Sequence, residues 1–473
     1  MKAESFSSVQ EYIDALVKNA KAAQKIFERD YTTQRPIDEV VRAAGKSVVD
    51  NAYELCKEAV SETGMGNIEA KIAKLTGVAL SQWCIVRGKN TVDYEDVPGE
   101  PGVRYLPKPM GVIGCVMPST NPIATIIGNT MMALKCRNAV IIAPHPASAQ
   151  VSVKTVDIIR AALKEIHAPE DLVQCIGVEA ASVDATSALL QACDCNIATG
   201  GAGMVKSVYS SGRPGFGVGQ GNCQDIVDRD MKPEEYAMLA KLTVMGRAWD
   251  NGVPCIGDQT THIPEEMEEH YLRVMQENGA FLLTEKADVD KLRDLVFPDG
   301  GTRINRKVVG RLPAQIGAMA GIDIPDSAVI ILVKNQAWGE QDVLCREILC
   351  PIMRYTTYSR FEDAVDRAVA NLEVEGAGHS SAIWTHDQAH VEYAAKRIPV
   401  GRFHVNQPTM GYSNGVLGTT TIGCGTWGNN SISENLAYYH LMNKTRVTTV
   451  VPNLRPRTEA EWDNYEPFEV LNT

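Results

Sequence analysis

The sequence predicts an α/β protein built on a doubly wound parallel sheet. Short apolar runs alternate with amphipathic helical stretches from residue 111 to residue 203, and the same alternation resumes in the second half. Parallel sheets covered by helices produce this order of strand, helix, strand and helix. At 473 residues the chain is too long for one small core, so we expect two or three domains.

The first half is predicted to begin with helices and to continue as strands alternating with helices. Apolar residues recur at helical spacing from Val9 to Val17, and a second amphipathic stretch spans 40–60. No catalytic group is evident in the first eighty residues. A hairpin near 91–108 then leads into a buried strand within 111–118. The elements predicted after it are a helix over 123–134, a strand over 139–143, a helix over 151–163, a strand over 172–176, a helix over 183–192 and a strand at 196–199 that ends in glycines.

The second half repeats this alternation of strands and helices after a change of domain near Asp228. The charged segment 228–235, which follows a strand at 225–227, marks the change. The elements predicted beyond it are strands over 329–333, 352–355 and 381–384 and a helix over 361–372. The tail from Arg446 is charged and rich in proline, and 448–451 within it is predicted as a strand donated to a partner subunit.

Composition and charge exclude several classes of function. The net charge of −12, without a basic stripe, argues against a nucleic-acid or anionic-membrane surface. The N-terminus carries acids instead of an apolar signal core, and no apolar run of about 18 residues follows, so we predict a cytoplasmic protein without membrane contact. The twelve cysteines form no Cys-x-x-Cys pair and no zinc spacing, so we predict free thiols and no metal site.

A glycine-rich turn after the strand at 196–199 is a candidate phosphate site. Thr199 is followed by Gly200, Gly201 and Gly203 ahead of a helical stretch. Such a turn can place helix N–H groups against a phosphate. However, the spacing differs from the Gly-x-Gly-x-x-Gly pattern of dinucleotide sites. From these residues alone, cofactor binding and an ordinary turn both remain open.

Two short loops carry candidate reactive groups. Cys255 ends the run 250–255, in which an Asn-Gly pair and Pro254 form a turn that can direct a side chain into a cleft. Its thiol is either a nucleophile or one more core thiol. Asn121 is either a donor to an oxyanion or the cap of a turn before Pro122. Together the loops are typical of a thiol that adds to a carbonyl and an amide that stabilises the resulting oxyanion.

Nine blocks, in order along the chain, carry a family resemblance. The chain resembles the CoA-acylating branch of the aldehyde dehydrogenase superfamily in the blocks 118–122, 143–146, 198–203, 209–214, 217–222, 250–255, 347–351, 376–379 and 423–428. The resemblance implies an aldehyde dehydrogenase-like fold with the active site in a cleft between domains. The implied divisions are a Rossmann-type cofactor domain in 1–228 with an oligomerisation hairpin near 91–108, an α/β catalytic domain in 229–425, and a return to the cofactor domain with a small oligomerisation tail in 426–473. A homodimer or homotetramer is also implied.

The resemblance further assigns roles to individual residues. Cys255 matches the nucleophile, and Asn121 matches the oxyanion donor that acts with the backbone N–H of Cys255. Glu347, in a Glu-x-x-x-Pro block, matches the glutamate that holds the ribose of the nicotinamide nucleotide. His379 matches a position near the nicotinamide or the thiol, although a lone histidine is as often structural. The other implied cofactor-binding residues are Ser119, Thr120, Pro144, His145, Thr199, Gly200, Gly201, Gly203 and Gly219.

Two departures separate the chain from the hydrolytic members of the superfamily. Those enzymes carry a water-activating glutamate in Glu-Leu-Gly-Gly, whereas the matching stretch 218–221 begins with Val218, which cannot act as a base. Their ribose-binding lysine is replaced by Ala143 before Pro144, which leaves His145 either to contact a ribose or phosphate or only to shape the turn. A thioester that water attacks slowly suits exchange with the thiol of coenzyme A.

We therefore predict an enzyme that oxidises a short aldehyde with NAD⁺ or NADP⁺ and CoA to an acyl-CoA, reversibly, through a thiohemiacetal and a thioester on Cys255. The block 430–435 resembles enzymes acting on succinate semialdehyde or sulfoacetaldehyde, small anions that call for a cationic or polar pocket. The segment between Gln407 and Thr421 is shorter than in those enzymes, which leaves acetaldehyde and propanal open. A hydrolytic aldehyde dehydrogenase and a non-catalytic nucleotide-binding homologue are the alternatives.

Overall fold

The first large sheet has five parallel strands in the order β5-β4-β3-β6-β7. A computed structural model describes residues 3–411, 418–452 and 458–466. The chain winds outward from β3 to β5 and then returns to β6 on the other side of β3, which confirms the predicted doubly wound arrangement. The strands are Val112–Val116 (β3), Ala139–Ala143 (β4), Val173–Cys175 (β5), Cys195–Thr199 (β6) and Gly215–Val218 (β7).

Eight helices accompany this sheet within the described residues. The stretch predicted as one amphipathic unit over 40–60 is two helices, because the first ends at Asp50 and Asn51 caps it. All fourteen residues of the helix that follows β3 are buried, so it forms the centre of this half of the molecule. The helices are Val9–Asp30 (α1), Gln34–Asp50 (α2), Ala52–Thr63 (α3), Ile68–Val86 (α4), Pro122–Lys135 (α5), Ala149–Glu165 (α6), Val183–Ala192 (α7) and Ala202–Tyr209 (α8).

The second large sheet has seven parallel strands in the order β10-β11-β12-β9-β8-β13-β14. Its strands are Cys223–Val227 (β8), Asp258–Pro264 (β9), Ala280–Leu283 (β10), Ile330–Lys334 (β11), Ile352–Tyr358 (β12), Gly378–Trp384 (β13) and Val400–Val405 (β14). The associated helices are Pro233–Ala248 (α9), Glu268–Glu277 (α10), Lys286–Val296 (α11), Pro313–Ala320 (α12), Phe361–Val374 (α13) and Gln388–Arg397 (α14). No helix among the described residues has the length and apolar character that crossing a bilayer requires.

Strand β8 lies on the other side of the domain boundary predicted near Asp228. It forms hydrogen bonds with β9 and β13, and therefore belongs to the seven-stranded sheet. The charged segment after it is a surface turn leading into α9, and this turn lies inside the second unit. A division at 219–222, between β7 and β8, fits the hydrogen bonding better.

A third, small antiparallel sheet joins the region before β3 to the C-terminal region. It consists of Glu95–Asp96 (β1), Val103–Pro109 (β2) and Met442–Thr448 (β15). The strand predicted at 448–451 is therefore displaced: β15 ends at Thr448, and it pairs with β2 of the same chain from Met442 opposite Pro109 to Thr448 opposite Val103. Propensity alone indicated a strand in this region but could not identify its partner.

A buried ion pair ties α2 to α5. The ammonium of Lys135 lies 2.6 Å from a carboxylate oxygen of Asp38, and the lysine side chain is wholly inaccessible to solvent. Burial lowers the pKa of Lys135, while the hydrogen bond from Lys135 to Asp38 opposes that shift. The pair therefore stabilises a charge that water cannot reach.

We expect Asp38→Ala to lower the thermal unfolding midpoint, because it leaves the Lys135 ammonium buried without its carboxylate, at a cost of about 3 kcal/mol. The matched control is Asp50→Ala, which breaks an equally short 2.6 Å pair with Lys46 on an exposed helix face and should cost less than about 1 kcal/mol. Differential scanning fluorimetry of both variants checks this, and equal midpoints would contradict it.

Candidate active site

The facing edges of the two large sheets bring the predicted site residues together. Only residues 219–222 connect β7 to β8, so the carboxyl ends of the first parallel sheet meet the amino ends of the second. Loops at the carboxyl ends of parallel strands are the usual ligand-binding position in doubly wound folds. The predicted cofactor residues at this edge are Ser119 and Thr120 after β3, Pro144 and His145 after β4, Thr199, Gly200, Gly201 and Gly203 at and after β6, and Gly219 after β7.

The glycine-rich turn leaves room at its surface for a ligand. A Cβ added at Gly201 or at Gly203 would meet no atom within 4 Å, so packing within the protein does not require glycine at either position. Gly201 is the cap residue of α8, and no side chain caps this helix. The uncapped start of this helix and the open surface fit the close approach of a phosphate.

His145 acts within its own turn. Its ring Nδ1 accepts a hydrogen bond from the backbone N–H of Ala147 at 3.1 Å, and the residue is half-buried. Burial and the neighbouring Arg306 lower the pKa of His145, which keeps the imidazole neutral. The structure therefore supports the turn-shaping role, and the ring still lies at the edge where the cofactor loops gather.

Asn121 is the cap residue of α5, where the chain enters the buried helix. Its backbone carbonyl accepts hydrogen bonds from the N–H and hydroxyl of Thr125. Its side chain does not cap the helix and makes no hydrogen bond to any part of the chain that the structure describes. The amide is thus free to donate to another group, beside the positive end of the α5 dipole.

The loop before Cys255 has an unusual backbone. Asp250, Asn251 and Gly252 have φ values of 47°, 54° and 74°, three successive residues in the left-handed region. A Cβ at Gly252 would lie 2.3 Å from the backbone of Cys350, so that position needs glycine. A residue other than glycine costs free energy in this backbone conformation, and other contacts must offset that cost.

The sulfur of Cys255 lies beside an imidazole in a largely desolvated pocket. His379 Nε2 is 3.3 Å from Cys255 Sγ, and His379 stands at the start of β13, two strands from β9. Burial, and next the Glu347 carboxylate, raise the pKa of the Cys255 thiol to about 12, while the charge of Lys74 opposes the rise. Burial, together with Arg402, lowers the pKa of His379 to about 3. At neutral pH the pair is therefore an uncharged thiol and a neutral imidazole.

Glu347 lies near the thiol, and its carboxylate has a protein partner. Its Oε1 accepts a 2.7 Å hydrogen bond from the backbone N–H of Gly221, and its own N–H donates to Glu375. Burial, and next the charge of Glu375, raise the pKa of Glu347 to about 8. Val218, which stands where the hydrolytic members of the superfamily carry a water-activating glutamate, is 2% exposed.

Two lysines of α4 lie at the same site, and no sequence pattern indicated them. Lys71 pairs with Asp250 at 3.1 Å. The ammonium of Lys74 lies 5.7 Å from the centre of the Trp249 ring, and burial lowers its pKa to about 8. Both belong to a helix of the N-terminal region in which no catalytic group had been recognised. Sequence patterns could not indicate these lysines, because their contacts are with Asp250 and Trp249, about 180 residues further along the chain.

The arrangement is that of a thiol site. Within the described ranges, no three His, Cys, Asp or Glu side chains are placed to hold a metal ion. Cys255 is half-buried as a residue, and a neutral imidazole lies 3.3 Å from its sulfur. Such a site can form a covalent bond to a carbonyl carbon.

Comparison with known proteins gives one consistent result. The aldehyde dehydrogenase family matches residues 3–286 and 332–442. The chain is 42% identical over 439 residues to succinate-semialdehyde dehydrogenase (acetylating) of Clostridium kluyveri, covering 92% of this chain and 95% of that protein.

Solved structures agree with this match. The acetylating aldehyde dehydrogenase of Geobacillus thermoglucosidasius is 31% identical, with a TM-score of 0.88 over 95% of this chain and 98% of that one. The propionaldehyde dehydrogenase of Rhodopseudomonas palustris, solved with bound CoA and an acylated cysteine, is 26% identical, with a TM-score of 0.82 over 92% of this chain and 97% of that one. The shared sequence and fold show that this chain belongs to the aldehyde dehydrogenase family, as a member of its acylating branch.

Proposed function

We propose that this enzyme oxidises a short aldehyde to an acyl-CoA, with Cys255 as the nucleophile. The observation that carries the proposal is the 3.3 Å contact between Cys255 Sγ and His379 Nε2, at the edge where the cofactor loops gather. The neutral imidazole can accept the thiol proton as the sulfur adds to the aldehyde carbon. The product of this step is a thiohemiacetal, whose oxygen carries the developing negative charge.

Asn121 and the backbone N–H of Cys255 would stabilise that oxygen. The Asn121 amide is free of hydrogen bonds to described residues and lies at the N-terminus of α5, so it can donate without first breaking a contact. Donors fixed in advance in a site with little water are worth more than donors that must reorganise. The uniform burial of α5 keeps this donor in place.

The loops after β3, β4, β6 and β7 would hold NAD⁺ or NADP⁺. The open surface at Gly201 and Gly203 fits the phosphates, and the carboxylate of Glu347 is placed near the thiol to meet the ribose after releasing Gly221. A bound oxidised nicotinamide supplies the acceptor for the hydride that leaves the thiohemiacetal carbon, and Cys255 is left as a thioester.

Coenzyme A would complete the cycle by thioester exchange. Its thiolate adds to the acyl carbon, and the Cys255 thiolate leaves, so one carbon–sulfur bond replaces another of similar energy. The bound CoA and acylated cysteine of the Rhodopseudomonas palustris enzyme support this step. Water is a weaker nucleophile that needs a general base, and buried Val218 supplies none. The same energetic balance allows the reverse reduction of an acyl-CoA.

Succinate semialdehyde is the substrate we propose to test first. The support is the 42% identity to the Clostridium kluyveri enzyme. Sulfoacetaldehyde, acetaldehyde and propanal are the other candidates from the sequence. In the segment between Gln407 and Thr421, the backbone N–H and the hydroxyl of Thr409 both donate to Asp258. Residues 412–417 of this segment lie outside the described ranges. A cytoplasmic location and a homodimeric or homotetrameric state stay predictions.

We expect Cys255→Ser to retain nucleotide binding and to lose turnover to below about one-thousandth of the wild-type rate, because a hydroxyl cannot replace the thiol in this exchange. The control is Cys84→Ser, which changes an exposed cysteine of α4 and should leave the rate unchanged. Steady-state formation of reduced nicotinamide and calorimetric nucleotide titration measure the two properties. Retained turnover in Cys255→Ser would exclude Cys255 as the nucleophile.

Without CoA, we expect the enzyme to form one equivalent of reduced nicotinamide per active site and then to slow by about 10²–10⁴-fold, because Val218 replaces the glutamate that activates water in the hydrolytic members. Stopped-flow absorbance with each of the four aldehydes, with and without CoA, measures the burst and the steady rate. Sustained turnover without CoA would assign the enzyme to the hydrolytic class.

The thiol and imidazole should titrate as a neutral pair. We expect the rate of Cys255 alkylation by iodoacetamide to rise about tenfold per pH unit from about pH 6 to about pH 9, because this range lies below the raised thiol pKa and the thiolate fraction increases throughout it. Mass spectrometry of the Cys255 peptide measures the rate, with Cys255→Ser reporting the background of the other cysteines. A plateau near neutral pH would indicate a thiolate–imidazolium pair instead.

A further inference from the structure

One lysine contacts both loops that carry the reacting groups. The Nζ of Lys71 donates to Asp250 Oδ2 at 3.1 Å and to the backbone carbonyl of Thr120 at 3.3 Å. Thr120 directly precedes Asn121, and Asp250 begins the run that ends at Cys255. A single ammonium group therefore joins the loop of the oxyanion donor to the loop of the nucleophile.

The N-terminus of α4 holds the nucleophile loop through further contacts. The backbone N–H of Asn67 donates to Asp250 Oδ1 at 3.0 Å, and the Asn67 amide reaches Asn251 Oδ1 at 3.3 Å. A Cβ at Gly66 would lie 2.0 Å from the Oδ1 atom of Asp250, so the Asp250 carboxylate lies as close to this backbone as glycine permits. These contacts hold Asp250 and Asn251 in their left-handed conformations.

The position of Lys71 is unfavourable for an ordinary lysine. It lies in the first turn of α4, where the helix dipole disfavours a cation. Its side chain is only 6% exposed, and that of Asp250 is not exposed at all, although lysine and aspartate are rarely buried in this way. A residue with only a surface or helix-forming role would not occupy this position. The pairing with Asp250 and the reach to Thr120 explain it.

We propose that Lys71 is a positioning residue, which fixes the Cys255 loop against the Asn121 loop so that the thiol and the amide meet the same carbonyl group. The inference rests on the proposed function of those two residues. Lys71 donates to Thr120 and Asp250, and neither of these takes part in the proposed reaction. Its effect is on the relative placement of two loops that belong to different sheets.

The consequence is a loss of alignment when the ammonium is removed. We expect Lys71→Met to slow the burst of reduced nicotinamide about a hundredfold, because a displacement of about 1 Å between reacting groups can have an effect of this size. Alkylation of Cys255 by iodoacetamide needs no oxyanion donor, so its rate should stay within about threefold of wild type. Lys71→Arg should recover most of the burst rate, because a guanidinium can donate to both loops.

The control is Lys46→Met, the same substitution in an exposed pair on α2, which should leave burst and alkylation rates unchanged. In an Asn121→Ala background, Lys71→Met should slow the burst by less than about threefold, because the amide that it positions is already absent. An equal loss of burst and alkylation rates, or a full additional loss in the Asn121→Ala background, would overturn the positioning role in favour of a general structural one.

A second measurement is independent of activity. Hydrogen–deuterium exchange should be faster in Lys71→Met than in wild type for peptides containing 119–121 and 250–255, with α13 as an unaffected reference. Unchanged exchange in either loop would overturn the inference. If the wild-type enzyme turned over none of the aldehydes, the proposed function would fail while the exchange experiment still decided whether Lys71 joins the loops.

Discussion

The short link at 219–222 is the constraint on which the rest of the site depends. Because four residues cannot carry the chain around either sheet, the carboxyl ends of the five-stranded sheet must face the amino ends of the seven-stranded one. The first edge supplies loops suited to a nucleotide, and the second supplies Cys255, His379 and Glu347. Neither sheet has a complete site alone, so the chemistry exists only where the two edges meet.

Burial then determines the protonation states of Cys255 and His379 where the two edges meet. The same desolvation raises the pKa of the Cys255 thiol and lowers that of the His379 imidazole, so both are uncharged before a substrate arrives. A neutral pair costs little in a desolvated site, whereas a separated thiolate and imidazolium would be expensive. In the proposed mechanism the proton leaves the thiol as the sulfur attacks, at the moment when Asn121 can stabilise the new negative charge on oxygen.

Local patterns in the sequence were sufficient for much of the fold. The strand at 139–143 and the helix at 183–192 coincide with β4 and α7, because uninterrupted apolar runs and helical periodicity are properties of neighbouring residues. What could not be predicted depends on distant contacts. The pairing of β15 with β2 spans more than 330 residues, and periodicity contains no information about a partner. The same limit applies to the contact between His379 and Cys255, which the resemblance placed only near the nicotinamide or the thiol.

If Lys71 acts as proposed, a helix without reactive groups governs the alignment of the reacting groups. Helix α4 packs against α5, which begins at the oxyanion donor, and its own N-terminus holds the nucleophile loop. Through Lys71, helix α4 contacts both the loop before Asn121 and the loop before Cys255. It can therefore fix the position of one loop relative to the other, which a residue within either loop cannot do. Asp250 and Asn251 adopt costly left-handed conformations, and only an external partner can offset that cost without occupying the space of the substrate. In the proposed role of Lys71, the alignment of thiol and amide thus depends on a helix that supplies no atom to the chemistry.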